Sequence, residues 1–182
     1  PNAVAQSLAR SRSFNIGLMM PNPAGQGNGA FFHDCLSGVC RTASENGYDV
    51  LLILGDESGT EDLSRLIDNR KIDGVIAMRS LVSSPIVGFL KEKQLPFVLI
   101  GPTSDRSVVS VDNDNQSASR EITAWLISRG AKRLVLLGGD ENHCVTHSRL
   151  RGFREACRQA GLPEQRELLN LGGGEKLART LP

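Results

Sequence analysis

Short apolar runs alternate with amphipathic helical patterns along most of the chain, and this alternation constrains the fold more than any other feature. Four apolar runs lie in the first half, at 14–20, 49–54, 75–78 and 97–100. They are continuous rather than interrupted by polar residues at every second position, which is typical of strands buried on both faces of a parallel sheet. Strands separated by helices predict an α/β, doubly wound architecture with parallel sheets.

Glycine and proline mark where several of the helices begin and end. A helical pattern from 30 to 46 is followed by Gly47, and another that starts near Ser117 is followed by Gly130. Glycine readily adopts the left-handed conformation that commonly follows a helix C-terminus, so both helices are expected to end there. A helix beginning at Pro85 is predicted because proline is favoured at the first helical position.

A polar turn within residues 107–139 is the first place to look for a binding site. The segment holds an apolar run, the turn Asp112-Asn113-Asp114-Asn115, a helix and a second apolar run, which together predict one β-α-β unit. Ligands of open parallel sheets bind at the carboxyl ends of strands, where this turn would lie. The tail from Glu164 to Pro182 does not complete another such unit, so we expect the sheet to be unfinished on that side.

Charge and hydropathy exclude several classes of protein. The 182 residues carry 21 basic and 20 acidic side chains, so no overall field would attract nucleic acid or an anionic membrane. No apolar run approaches the roughly 20 residues of a membrane span, and we expect a cytoplasmic protein. The four cysteines lack CxxC spacing and fall in apolar or helical surroundings, which predicts reduced, buried thiols. They are Cys35, Cys40, Cys144 and Cys157.

Three segments together resemble the LacI/GalR family of bacterial transcriptional regulators, whose effector domain is similar to periplasmic sugar-binding proteins. The likeness covers nearly all of the chain up to about Pro163, with a glycine-rich insertion in the first segment and Ala131 where the family usually has histidine. The first segment is Phe14–Pro21 with Asn22-Pro23 and Phe31-Phe32, which resembles the family's opening strand and its NPFF motif. The second runs from Val111-Asp112-Asn113 through Gly130 to Lys132-Arg133-Leu134 and resembles the vDN and GHrrIa motifs. The third is Arg149–Phe153, which resembles the RxxGf motif.

The resemblance implies an effector site in a cleft between two lobes. Phe31 and Phe32 would stack on or cover the ligand, and Arg149 would hold an oxygen or carboxylate of it through its forked donors. Asp112 and Asp114 would accept hydrogen bonds from sugar hydroxyls. An aromatic face, an arginine and carboxylates together suit a polyhydroxylated or anionic small molecule.

Each of these residues also has a purely structural alternative. Phe32 aligns with Leu36 on one face of the predicted helix, where it would belong to the core. Asp112 is placed to cap the helix that follows it. Arg149 lies one position away from the apolar stripe of its own helix and would then be a solvated surface residue.

The N-terminal residues PNAVAQSLA resemble the family's hinge segment, and this implies a contact with operator DNA. Leu8 would enter the minor groove as an apolar wedge, a known way to kink DNA. The helix-turn-helix that precedes the hinge is absent, and the family's second lobe continues beyond Pro182, so we expect a fragment of a homodimeric repressor. The expected organisation is a hinge at 1–12, the N-terminal lobe at 13–116 and the start of the C-terminal lobe at 117–182.

An NAD(P)-dependent, Rossmann-type oxidoreductase is the alternative from another functional class. The stretch 25–30 fits GxGxxA between a strand and a helix. However, Pro21-Asn22-Pro23 separates the strand from the first glycine, and Asp56 comes too late for the usual acidic position. A transport receptor is disfavoured because no export signal is visible. We therefore predict a binding module without a cofactor.

Catalytic and metal sites are not predicted either. None of the serines stands in a GxSxG turn, so no nucleophile and base can be paired from the sequence. His143, Cys144 and His147 are close enough along a helix to suggest a metal site, but no acidic or cysteine partner at ligand spacing completes it.

Overall fold

The computed structural model describes residues 12–20, 29–55, 60–78 and 85–169. Helices and strands alternate through the described residues as the sequence predicts. The first half contains β1 (Asn15–Met20), α1 (Gly29–Glu45), β2 (Asp49–Leu54), α2 (Glu61–Asp68), β3 (Gly74–Met78), α3 (Pro85–Glu92), β4 (Phe97–Ile100) and β5 (Ser110–Val111). The second half contains α4 (Asn115–Ser128), β6 (Val135–Leu137), α5 (Cys144–Gln159) and β7 (Arg166–Leu168).

The strands of the described residues form two sheets, and the pairings between the longer strands are parallel. The larger sheet has five strands in the order β2-β1-β3-β4-β5. Gly17 of β1 lies opposite Leu51 of β2 on one side and Val75 of β3 on the other. In the smaller sheet, β6 pairs in parallel with β7. The predicted α/β fold with parallel sheets is confirmed.

Helices α1 and α4 end as predicted, at glycines with positive φ. Gly47 has a φ of +74° and Gly130 a φ of +94°. The main chain after each helix turns back on it: the amide of Tyr48 donates to the carbonyl of Ala43 at 2.9 Å, and that of Ala131 to Leu126 at 3.2 Å. These bonds satisfy the last carbonyls of each helix, which have no partner within the helix itself.

The described residues divide into two compact units. The first comprises 12–20, 29–55, 60–78, 85–100 and 107–109, and the second comprises 101–106 and 110–169. The core of the first unit is a cluster of buried aliphatic side chains from β1, β2, α2, β3, α3 and β4, together with residues of the connecting segments. It contains Met19, Ile53, Leu63, Ile72, Val75, Ala77, Ile86, Leu90, Leu99 and Val108.

The single β-α-β unit that the residues alone predict across 107–139 is wrong in its pairing, whereas the lobe boundary after residue 116 that the resemblance implies already separates its two strands. The strands on either side of α4 do form, but β5 lies in the five-stranded sheet and β6 in the two-stranded sheet. The expectation that the tail completes no further β-α unit is also wrong, since Arg166–Leu168 follows α5 and pairs in parallel with β6. Short apolar runs carry no signal for their pairing partner, which depends on residues distant in sequence.

Burial of the strands on both faces is confirmed for β3 but is wrong for β2 and β6. Leu52 and Leu54 of β2 are about half exposed, as are Val135 and Leu137 of β6. The reason is position in the sheet: β2 is the edge strand of the larger sheet, and within the described residues β6 pairs only with β7.

The thiols are free, but they are not uniformly buried. Cys157 is buried, Cys35 and Cys144 are half-buried, and Cys40 is exposed, which corrects the prediction of four buried thiols. Burial raises the pKa of the Cys157 thiol, and the same cause raises the pKa of Cys35. Position 40 falls on the solvent side of α1, which the apolar neighbours in sequence do not indicate.

Candidate functional site

Helix α4 begins at Asp114, which caps it. Asp114 adopts a left-handed conformation with φ +47° and ψ +58°, and its Oδ1 accepts a 3.0 Å hydrogen bond from the amide of Ser117. Aspartate tolerates this conformation better than most residues with a Cβ. The proposed capping role of Asp112 is therefore wrong, because Asp114 immediately precedes the helix and occupies the cap. Hydrogen bonds from the amide and side chain of Ser117 hold the pKa of Asp114 below its ordinary value.

This cap gives a pH-dependent contribution to stability. Because the pKa of Asp114 is lower in the folded state, its stabilising effect is complete above the ordinary pKa of 3.8 and is lost as the pH falls below that value. We expect Asp114→Ala to unfold at a lower urea concentration than the wild type at pH 7. The difference between the two urea midpoints should be smaller at pH 3. Circular dichroism followed during urea titration measures both midpoints.

Asp114→Asn is the matched control for that experiment. Asparagine caps helices as well as aspartate does and also tolerates a positive φ, but it does not titrate. The difference in urea midpoint between Asp114→Asn and Asp114→Ala is expected to be the same at pH 7 and pH 3. If Asp114→Ala itself differs equally from the wild type at pH 7 and pH 3, the charge of Asp114 does not contribute to the cap.

Asn115, the first residue of α4, links to Asp112. Its Nδ2 donates a 2.8 Å hydrogen bond to Oδ1 of Asp112. Only 9% of the Asn115 side chain and backbone surface is exposed, whereas Asp112 is exposed. A buried side-chain amide needs hydrogen-bond partners for both its nitrogen and its oxygen, so Oδ1 of Asn115 must have a partner as well.

The side-chain oxygen of Asn115 is hydrogen-bonded to Arg149 of α5. Nε of Arg149 donates a 2.9 Å hydrogen bond to Oδ1 of Asn115. The carbonyl oxygen of Arg149 in turn accepts a 2.7 Å hydrogen bond from Oγ of Ser119, one helical turn along α4. Arg149 is exposed, as the surface alternative expects, but it is held to α4 through both its side chain and its main chain.

A close crossing of α4 and α5 makes this network possible, and Gly152 lies at the crossing. A Cβ at position 152 would overlap the carbonyl oxygen of Gln116 and come within 2.9 Å of the amide nitrogen of Arg120. Further polar contacts join the same helices, including Gln116 Nε2 to Glu155 Oε2 at 3.3 Å. The absence of a side chain at 152 therefore brings Arg149 close enough to reach Asn115.

The network leaves hydrogen-bonding groups available at its exposed side. Within the described residues, the two terminal nitrogens of Arg149 and Oδ2 of Asp112 have no hydrogen-bond partner. The guanidinium donates only, and the carboxylate accepts only. Together they suit a ligand whose neighbouring atoms can both accept and donate, as hydroxyl groups do. We define Asp112, Asn115 and Arg149 as the Asp-Asn-Arg triad.

The structure brings together only some of the residues implied by the resemblance. Asp112 and Arg149 share the triad, while Asp114 lies at the same helix start but uses one oxygen for the cap. Phe31 and Phe32 lie on α1 in the first unit, where their rings contact each other edge to face at 5.5 Å. Phe31 is 47% exposed, and Phe32 is half-buried rather than part of the buried core cluster. Leu8 lies outside the described residues.

Sequence reasoning missed Asn115 and Ser119. Asn115 belongs to the polar turn that was singled out, but nothing in the sequence indicates that its amide faces Arg149, 34 residues away. Ser119 gives no signal at all, since a serine on a helix surface is ordinary. Both roles arise from the crossing of α4 and α5.

Metal and membrane sites find no support among the residues that the structure describes. No group of three His, Cys, Asp or Glu side chains there is arranged to hold a metal ion. His143 is buried, with its Nδ1 at 3.9 Å from Oδ2 of Asp140. Over the same ranges, no helix is both long and apolar enough to span a bilayer.

Comparison with known proteins identifies the family of this chain. A family model described as "Periplasmic binding proteins and sugar binding domain of LacI family" matches residues 13–176, which include the whole triad. The HTH-type transcriptional regulator MalR of Streptococcus pneumoniae is 31% identical over 161 residues, covering 87% of this chain and 49% of that protein. The chain thus spans about half the length of such relatives.

Two solved structures of regulators are also similar. The probable maltose operon transcriptional repressor MalR from Staphylococcus aureus superposes with a TM-score of 0.79 and 26% identity, over 87% of this chain and 58% of that one. The complex of the transcriptional regulator CelR with cellobiose gives a TM-score of 0.74 and 25% identity, over 90% and 55%. The chain belongs to the family of periplasmic binding proteins and sugar-binding domains of LacI-type transcriptional regulators.

Proposed function

We propose that this chain is the effector-sensing part of a LacI-type transcriptional repressor and that it binds a sugar through the Asp-Asn-Arg triad. The observation that carries the proposal is the triad itself, in which the amide of Asn115 links a guanidinium to a carboxylate and leaves donors of one and an acceptor of the other free. The cellobiose complex of CelR and the names of the MalR relatives favour a sugar over other small molecules. The chain then acts as a binding module and not as an enzyme.

Each ligand residue has a defined role in this proposal. The terminal nitrogens of Arg149 donate to sugar oxygens, and Oδ2 of Asp112 accepts from a hydroxyl. Phe31 of the first unit has an exposed ring, the kind of flat apolar surface on which the C–H face of a sugar packs, and Phe32 contacts that ring edge to face. A ligand contact for Asp114 requires its second oxygen, because the first caps α4.

Regulation follows by a shift between conformations. A sugar that binds one arrangement of the effector domain more tightly than another changes how much of each is present, and the hinge transmits this to operator DNA. In the proposed dimer, the two hinge segments would each place Leu8 in the minor groove. A role on operator DNA implies a location in the cytoplasm.

Calorimetric titration of the full-length protein with maltose, cellobiose and glucose tests the proposal. We expect one of these sugars to bind, and Arg149→Ala to weaken that binding about 10- to 100-fold, the usual cost of losing hydrogen bonds to a charged group. Arg151→Ala is the matched control, since Arg151 is exposed on the same helix two residues away. It should bind sugar as the wild type does.

The opposite outcome is equally clear. If NAD stabilises the protein against heat while none of the sugars does, and Arg149→Ala leaves that effect unchanged, the oxidoreductase alternative is correct and the repressor proposal is not.

A further inference from the structure

Asn115 lies between the two charged groups of the triad and touches both. Its amide nitrogen contacts the carboxylate of Asp112, and its amide oxygen contacts the guanidinium of Arg149. We propose that Asn115 is a positioning residue that keeps Asp112 and Arg149 from pairing with each other, so that both charges remain available to the ligand. This inference rests on the proposed sugar-binding role of the triad and assigns a role to a further residue of that site.

The orientation of the Asn115 amide is fixed by the chemistry of its neighbours. A carboxylate only accepts hydrogen bonds and a guanidinium only donates them, so the amide can face them in one way. Rotation by 180° would place the amide nitrogen against Nε of Arg149 and the amide oxygen against the carboxylate of Asp112. Because Asn115 is buried, water cannot satisfy that reversed arrangement.

The alternative to this arrangement is a direct ion pair. Carboxylate and guanidinium form bidentate, charge-assisted hydrogen bonds that are stronger than those to a neutral amide. Such a pair would use both oxygens of Asp112 and two nitrogens of Arg149, leaving neither for a ligand. The neutral amide of Asn115 takes one oxygen of Asp112 and only Nε of Arg149. The remaining oxygen and the two terminal nitrogens stay free.

The free carboxylate oxygen of Asp112 and the free nitrogens of Arg149 also favour one chemical class of ligand group. A pair of neighbouring hydroxyls satisfies both sides, because one hydroxyl donates to Oδ2 of Asp112 while the oxygen of the next accepts from Arg149. A carboxylate or phosphate could pair with Arg149 but would meet the negative charge of Asp112. Asn115 therefore favours a neutral diol over an anion at this point of the site.

The main-chain anchor of Arg149 supports the same geometry. Oγ of Ser119 holds the carbonyl of Arg149, and Gly152 permits the close approach of α5 to α4. With the main chain fixed, only the side chain of Arg149 is free to turn from Asn115 toward Asp112. Removing Asn115 should therefore redirect the guanidinium rather than move the helix.

The test uses Asn115→Leu in the full-length protein, because leucine branches at the same carbon as asparagine but its side chain forms no hydrogen bonds. A ligand-free double-mutant cycle compares Asp112→Asn and Arg149→Met, singly and together, by urea unfolding. In the wild-type background we expect only a weak coupling between the two positions, because they share Asn115 as a neighbour but do not contact each other. In the Asn115→Leu background we expect a favourable coupling that weakens in 1 M salt, as a new ion pair would. Asn115→Ala repeats the cycle if the leucine variant does not fold.

A binding measurement with maltose as the probe completes the experiment. Asn115→Leu should weaken maltose binding at least tenfold while the thermal midpoint changes little. An absence of coupling in both Asn115 variants overturns the positioning role, whether or not maltose binds. If Arg149→Ala abolishes maltose binding but Asn115→Leu does not alter it, the positioning role fails and the proposed function stands. If neither change affects maltose binding, the proposed function fails and the cycle alone decides the role of Asn115.

Discussion

Replacement of Gly152 by alanine is expected to destabilise the second unit by about 2–3 kcal/mol, the upper range for inserting a group into a closely packed site. The added Cβ would overlap the carbonyl oxygen of Gln116 and approach the amide of Arg120 within 2.9 Å. Both are main-chain atoms of α4, so neither can move aside as a flexible side chain would. The crossing of α4 and α5 must open, and urea unfolding monitored by circular dichroism measures the cost.

The effect of Gly152→Ala should extend to ligand binding. An opened crossing lengthens the distance from Arg149 to both Asn115 and Ser119, which lie on α4. We therefore expect the sugar affinity of any folded Gly152→Ala protein to fall together with its stability. Calorimetric titration at a temperature well below the unfolding midpoint separates the two losses.

Gly38→Ala is the matched control for Gly152→Ala. Gly38 is also inside a helix, and a Cβ there would meet no atom within 4 Å. Alanine is the better helix former, so this change is expected to stabilise the protein by about 0.5–1 kcal/mol. Equal effects of the two changes, in either direction, would show that the crossing at Gly152 is not closely packed.

Leu90→Ala is expected to destabilise the first unit by about 2–5 kcal/mol, the range for deleting a large aliphatic side chain from a core. Leu90 of α3 has no exposed surface and belongs to the buried cluster that also contains Leu63 and Ile86. The loss combines the apolar surface that is no longer buried with the cavity left behind. Urea unfolding followed by circular dichroism measures it.

Leu54→Ala provides the comparison for Leu90→Ala. Leu54 is chemically the same residue but is 52% exposed on the edge strand β2. Its removal leaves no enclosed cavity, and we expect a change below about 1 kcal/mol. A loss at Leu54 as large as that at Leu90 would mean that β2 is covered in the protein as it exists in solution.

The local elements of this fold follow from local sequence. Strands β2 and β4 form over the predicted residues, and α1 and α4 end at Gly47 and Gly130. These features depend on side chains and backbone preferences within one or two turns of the chain, so their signal is present in a short window. The same holds for the parallel α/β class, which needs only the order of strands and helices.

Strand pairing was not predictable in this way. The resemblance assigns Ser110–Val111 and Val135–Leu137 to different lobes, but nothing within these segments specifies their partner strands, and Arg166–Leu168 is too polar to be recognised as a strand. Pairing depends on which distant segment supplies the neighbouring hydrogen bonds. A run of two or three residues carries too little information to specify that choice.

The polar turn and the motif around Arg149 were determined by the sequence alone, as were the family they resemble and the α/β class. Only the tertiary structure decided what those residues do to one another. Asp114 rather than Asp112 caps α4, and Asn115 joins Asp112 to Arg149 across 34 residues of chain. The physical reason is the helix crossing: the lack of a side chain at Gly152 lets two helices approach, and that approach converts separate polar residues into one site.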